Sequence, residues 1–236
     1  MSINDNVAAI RRRISQAAAR SGRSPDSITL MAVSKTVELE RIQQAYEAGI
    51  RVFGENRVQE FGDKAPRFQG LNDAQWHLIG HLQTNKAKKA VELFQAVDSV
   101  DSLRLAEKLN QAAKQLNKIL PVLIEINAGG EENKSGVPSD SAELEELLQA
   151  VQHFTHLQVR GLMTIPPFTE DPEGARPYFR RLRELRDKIA SRKLPRIQMD
   201  VLSMGMSHDF EVAIEEGSTC VRVGTAIFGA RPSPKA

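Results

Sequence analysis

Short apolar runs, most of them rich in β-branched residues, recur eight times along this 236-residue chain, with stretches of helical periodicity lying between them. The runs are ITLMAVSK (28–35), RVFGEN (51–56), QWHLIG (75–80), AVDSV (96–100), LPVLIEIN (120–127), LQVRGLMTI (157–165), MDVLSMG (199–205) and TCVRVGTAIFG (219–229). Several are continuously apolar rather than alternating, the pattern of strands covered on both faces in a parallel sheet. Eight strand–helix units within roughly 200 residues match the size of a small (β/α)8 barrel. The rival arrangement, an open doubly wound sheet, normally shows a glycine-rich phosphate turn after its first strand. Here that strand ends in Ser34-Lys35-Thr36, with no G-x-G-x-x-G. The expectation is an α/β fold: a single TIM barrel over residues 1–236, with an extra helix ahead of the first strand.

That leading helix is read from Ile3, Val7, Ile10, Ile14 and Ala17, whose spacing puts one apolar stripe on one face, with Gly22 as the stop. Leu103, Ala106, Leu109 and Ala113 mark a helix over 102–116, and Tyr178, Leu182, Leu185 and Ile189 one over 173–190. Asp140 followed by Glu143 reads as a capping box ahead of Leu144, Leu147 and Leu148.

In a barrel of this kind chemistry gathers at the carboxyl ends of the strands. Those ends carry Lys35, Asn56, His77 and His81, Asp98 and Asp101, Asn127, Thr164, Ser203 with Ser207, and Arg222 with Thr225. Lys35 closes an apolar run, where burying an ammonium is costly unless it is paired or neutralised. A first barrel strand also has no exposed edge to carry a solvated lysine. A desolvated lysine is an amine nucleophile of the kind Schiff-base chemistry requires.

Two further segments point to an anion. Ser203-Met204-Gly205-Met206-Ser207 leads into a helix expected over 208–216, offering backbone N–H groups and the positive end of a helix dipole to a phosphate. Ser207 is equally an ordinary N-cap. Val221-Arg222-Val223-Gly224-Thr225 adds a guanidinium and a glycine whose amide a phosphate can approach closely. The last strand of a closed barrel neighbours the first, so the three segments describe one pocket, with an amine at one end and a phosphate cradle at the other.

Such a pocket suits pyridoxal 5′-phosphate (PLP). The segments AVSKT (32–36), FGENRVQE (53–60), WHLIGHLQTNK (76–86), LSMGMSHDFEVAI (202–214) and VRVGTAIFGAR (221–231) resemble the pyridoxal phosphate homeostasis protein family, itself similar to the N-terminal barrel of alanine racemase. The likeness runs through nearly the whole chain. It implies PLP as cofactor, with Lys35 as the Schiff-base lysine and Arg222 facing the pyridine nitrogen. It also implies that Ser207, Gly224 and Thr225 hold the phosphate, with Ser203 and Gly205 in support and Asn56 beside the ring. Lys134, in the segment after the fifth strand, is the fallback amine.

By this resemblance the chain binds PLP, limits its free aldehyde and takes part in vitamin B6 homeostasis, with apo-enzymes as candidate recipients and no robust catalysis of its own. The alternative is a PLP-dependent amino-acid racemase or another PLP enzyme. Alanine racemase adds a β-rich domain that supplies a catalytic tyrosine across a dimer, whereas this sequence ends at Ala236, directly after the eighth strand. A non-catalytic monomer is therefore expected. A third reading, a regulator in which bound PLP signals to a partner, leaves no motif.

Composition removes other classes. Lys+Arg 32 against Asp+Glu 30 leaves a net charge of +2, and with one Trp and two Tyr there is neither the charge nor the stacking surface for nucleic acid. Lys86, Lys88 and Lys89 form a small basic cluster, and the basic residues of 176–193, interleaved with the apolar stripe, read as a solvated helix face. No apolar run approaches the roughly 18 residues of a membrane span. MSINDNVAAIRRR has no signal-peptide core, and Cys220 alone cannot form an internal disulfide, so a cytoplasmic protein is expected. His77 and His81 have the i, i+4 spacing of a metal pair, but they bracket a strand end with no Glu between them. Structural hydrogen bonding is favoured there, and no metal is expected.

Overall fold

The computed structural model describes residues 2–68, 70–131 and 135–229. Its strands are β1 (Thr29–Val33), β2 (Val52–Glu55), β3 (Gln75–Leu78), β4 (Ala96–Val100), β5 (Leu120–Asn127), β6 (Val137–Pro138), β7 (Leu157–Met163), β8 (Ile197–Met206) and β9 (Cys220–Val223). The order β4-β3-β2-β1-β9-β8-β7-β5 closes through a β4–β5 pairing, and every pairing is parallel. Eight strands thus form a barrel, and among the described residues the two-residue β6 pairs with β5 alone.

Each predicted run contains one barrel strand, with two differences at the ends. β8 begins at Ile197, and β9 ends at Val223, where Gly224 leads into a short helix. The sequence TAIFG is as apolar as the strand before it, and apolar content alone does not separate a buried strand from a buried helical turn.

The helices are α1 (Ile3–Arg20), α2 (Leu39–Glu47), α3 (Val58–Lys64), α4 (Ala87–Leu93), α5 (Leu103–Gln115), α6 (Ala142–Val151), α7 (Arg176–Ser191), α8 (Phe210–Glu215) and α9 (Thr225–Phe228). α1 starts on a capping box between Ser2 and Asp5, buries its predicted stripe, and is followed by Gly22 at φ 66. It packs on α8, α9 and α2. For α6 the cap is Ser141, whose hydroxyl accepts from the Leu144 amide, not Asp140. The α7 stripe is Phe179, Leu182, Leu185 and Ile189. Tyr178 is only half-buried, one position off that stripe, and α7 begins at Arg176 after a separate 3-10 turn at 172–175.

The strand residues divide by parity into two layers. Ala32, Phe53, Leu78, Val122, Ile124, Leu202 and Val221 pack outward under the helices in the main core. Met31, Ile79 and Cys220 pack inside the barrel with Val33, Val52 and Val201. Trp76 stacks at 4.8 Å on Phe53 and packs at 4.8 Å against Phe61, anchoring β2 and β3 to α3. The basic face of α7 is not simply solvated: Arg176, Arg180 and Arg183 all bond Glu216, which is 4% exposed. Among the described residues no helix is long and apolar enough to cross a membrane.

Candidate functional site

Met31 and Val33 point into the barrel, and Lys35 continues their parity one step beyond the end of β1. It is half-buried rather than fully desolvated, because the strand stops at Val33 and the chain turns outward. Lys35 lines a cavity together with Thr36, Arg41, Gly224, Thr225 and Phe228. The register Ala32↔Val223 carries the β1 and β9 ends to the same level, which brings the lysine to the Gly224–Thr225 turn.

Ser207 completes this corner. Its hydroxyl oxygen accepts the Gly224 amide at 3.3 Å and the Ala226 amide at 3.4 Å. The expected role of Ser207 as cap of a 208–216 helix is not what forms. α8 starts at Phe210 with Asp209 as its N-cap, and the Asp209 carboxylate accepts the Met206 amide at 2.6 Å. The converging N–H groups therefore come from the start of α9, not from α8. Gly205 sits at φ 93, and a Cβ there would lie 2.5 Å from that of Ala213. Its role is to let β8 approach α8, which holds Ser207 at the end of the strand.

Arg222 lies inside the barrel, 3% exposed. Nη1 donates to Ser203 Oγ and Nη2 to the Thr164 carbonyl, both at 2.7 Å. Burial pulls its pKa down, and the nearby Cys220, Asp98, Glu125 and Asp209 oppose that. The guanidinium stays charged. Asn56 is half-buried just past β2 and is not among the residues lining the Lys35 cavity. Lys134 lies outside the described residues.

His77 and His81 each meet an aspartate: His77 Nδ1 with Asp98 at 3.1 Å, and His81 Nδ1 with Asp101 at 2.8 Å. Among the described residues no three His, Cys, Asp or Glu converge to hold a metal. A larger cavity of about 520 Å³ opens at the opposite end of the barrel, between Thr29, Gln75, His77, Asp98 and Cys220. Of the strand-end residues read from the sequence it takes His77 and Asp98, but none of those expected to hold PLP, and barrel chemistry sits at the carboxyl end, so size does not make it the site.

Sequence reasoning passed over Glu125. Its β5 neighbours Leu120, Val122, Ile124 and Ile126 pack outward, so Glu125 faces the barrel interior. It is 6% exposed, and Oε2 has no hydrogen-bond partner among the described residues. Burial, with repulsion from Asp101, pushes its carboxyl up to about 7, while Arg222 and His81 pull back. An acid within the otherwise apolar LPVLIEIN was the available signal.

Comparison with known proteins shows which family and which fold the chain shares. The family model for the alanine racemase N-terminal domain matches residues 6–232. The pyridoxal phosphate homeostasis protein of Aquifex aeolicus is 46% identical over 231 residues, covering 98% of this chain and 99% of its own length. That of Escherichia coli K12 is 46% identical over 235 residues, 99% of this chain and 98% of its own. Among solved structures, PipY of Synechococcus elongatus with PLP bound matches with a TM-score of 0.80 at 37% identity, over 92% of this chain and 100% of PipY. The alanine racemase of Clostridium difficile matches with a TM-score of 0.70 at 16% identity, covering 98% of this chain but 58% of its own, a likeness of fold.

Proposed function

Given that the chain belongs to the pyridoxal phosphate homeostasis protein family, we propose that it binds pyridoxal 5′-phosphate through Lys35 and serves PLP homeostasis as a carrier rather than as an enzyme. The observation that carries this reading is the cavity shared by Lys35, Gly224 and Thr225, with Ser207 bridging two amides at its edge. Bound PLP supplies an aldehyde that condenses reversibly with a primary amine.

The residues present fit that group. Lys35 offers the amine at the barrel mouth. The amides of Gly224 and Ala226, now turned onto Ser207, are the donors a phosphate would meet, with the hydroxyls of Ser207 and Thr225 beside them. Arg222, fixed by Ser203 and Thr164, sets a permanent cation inside the barrel, where a pyridine nitrogen would accept from it rather than become protonated. That weakens the ring as an electron sink, whereas many PLP enzymes place a carboxylate there. Asn56, at the end of the neighbouring strand, would be the residue placed beside the ring. Residues 1–236 act as one PLP-binding unit, a cytoplasmic monomer that passes the cofactor to apo-enzymes.

Racemisation needs acid–base groups on both faces of the substrate carbon, each worth typically about 10²–10⁴-fold. The tyrosines do not supply one: Tyr46 lies in α2, bonded to Asp73, and Tyr178 lies in α7. One observation favours the second reading, a PLP enzyme. Glu125 is a buried interior acid able to exchange a proton near neutral pH. The test is PLP-loaded protein incubated with L- and D-alanine and a panel of other amino acids, following chirality and keto-acid formation. The carrier reading expects no sustained turnover. Multiple turnovers per minute that vanish in Lys35→Ala would establish the enzyme instead.

A further inference from the structure

Thr36, the residue after Lys35, adopts φ 61. A β-branched residue is disfavoured in this left-handed region and stays there only when its surroundings hold it. What holds it comes from the next strand–helix unit. The Thr36 amide donates to Glu60 Oε1 at 2.8 Å, and the same oxygen accepts Lys64 Nζ at 2.9 Å. On the other side of the lysine, the Ser34 hydroxyl donates to Glu55 Oε1 at 2.7 Å and the Ser34 amide to the Gly54 carbonyl at 3.0 Å. Glu55 is fully buried, and its second oxygen has no hydrogen-bond partner among the described residues.

The two carboxylates are shifted in opposite directions. Burial pushes the Glu55 carboxyl up; the Ser34 bond, Lys64 and Lys35 oppose this, and Glu60 adds to it. For Glu60, burial is outweighed by the bonds from Lys64 and Thr36 and by Lys64 and Arg57, so its carboxyl is held below the usual range. Glu60 is thus held in its charged form, which makes the Thr36 bond charge-assisted.

We propose that Glu60 is a positioning residue for Lys35: by accepting the Thr36 amide it holds the left-handed turn that keeps the lysine at the cavity facing Gly224 and Thr225, with Glu55 anchoring Ser34 behind it. This rests on the reading that Lys35 carries the cofactor. A plainer role for Glu60 is the i, i+4 pair with Lys64 on α3, and the variants separate the two. Glu60→Ala removes the acceptor. Glu60→Gln keeps an acceptor for the Thr36 amide and removes the charge. Lys64→Ala breaks the ion pair and leaves the Thr36 bond.

Two readouts are taken on each variant: amide hydrogen exchange of the 33–38 backbone in cofactor-free protein, and the rate at which added PLP attaches, followed by absorbance. Glu60→Ala should speed exchange at Thr36 and slow attachment by about tenfold or more, the equivalent of losing one hydrogen bond to a charged group. Its thermal midpoint should stay within a few degrees of the parent. Glu60→Gln should recover most of both effects, and Lys64→Ala should match the parent. Attachment by Glu60→Ala at the parent rate, or Lys64→Ala reproducing the Glu60→Ala defect, would overturn the proposal. Lys35→Ala is the control: if it still attaches PLP, the Lys35 reading fails, and the cofactor-free exchange data still report on the clamp.

Discussion

Glu125→Gln isolates the electrostatic cost of a carboxyl sealed inside the barrel. In the folded protein its pKa rises from the ordinary 4.5 to about 7, chiefly through burial. That displacement is worth about 3 kcal/mol of differential interaction between the two protonation states. Between those two pH values the folded chain keeps a proton that the unfolded chain releases. The folded state binds more protons there, and stability falls as pH rises through the window. Glutamine has nearly the same shape and does not titrate. The variant should therefore match the parent within about 1 kcal/mol at pH 4.5–5 and gain about 2–3 kcal/mol on it by pH 8.5. For a chain of this length such a gain raises the thermal midpoint by on the order of 6 °C. The assay is urea unfolding across pH 5–8.5, read by the fluorescence of Trp76, the single tryptophan, which is packed among Phe53, Phe61 and Phe68. Parallel stability curves for the two proteins would show that Glu125 titrates as an ordinary carboxylate, and the argument from burial would be wrong.

Two further outcomes follow from other parts of the structure. Ser207→Asp sets a carboxylate against the amides of Gly224 and Ala226; PLP affinity should fall at least about tenfold while pyridoxal, which lacks the phosphate, is hardly affected, and equal loss for both ligands would place the phosphate elsewhere. Glu216→Gln leaves Arg176, Arg180 and Arg183 around a neutral side chain and should cost about 2 kcal/mol at pH 7. Because the arginines outweigh burial and hold the Glu216 carboxyl low, that stability is present above the unfolded pKa and is lost as pH falls through the folded one, so the gap should narrow on acidification below the ordinary carboxylate range.

The barrel was legible in the sequence because its strands are covered on both faces: a run such as LPVLIEIN can be read without knowing its neighbours. The pairing of Lys35 with the Gly224–Thr225 turn was also legible, since closure makes the last strand adjacent to the first. What escaped depends on contacts between distant segments. Ser207 reads as a cap for the helix that follows it, yet its hydroxyl serves the amides of α9, which only the register of β8 beside β9 arranges. The arginines of α7 read as a solvated face because Glu216 lies far along the chain. Glu60 and Thr36 carry no mark of their bond in sequence, because the left-handed turn is held by the next strand–helix unit rather than by a local glycine.

Everything in the proposed function turns on Lys35 being the amine that holds PLP. The most direct measurement is borohydride reduction of the PLP-loaded protein, followed by proteolysis and mass-spectrometric mapping of the fixed pyridoxyl group. One dominant modified peptide is expected, containing AVSK with the label on Lys35, with loss of that label and of the visible absorption band in Lys35→Ala. A label centred on Lys134 or another lysine, or an unchanged spectrum in Lys35→Ala, would contradict it.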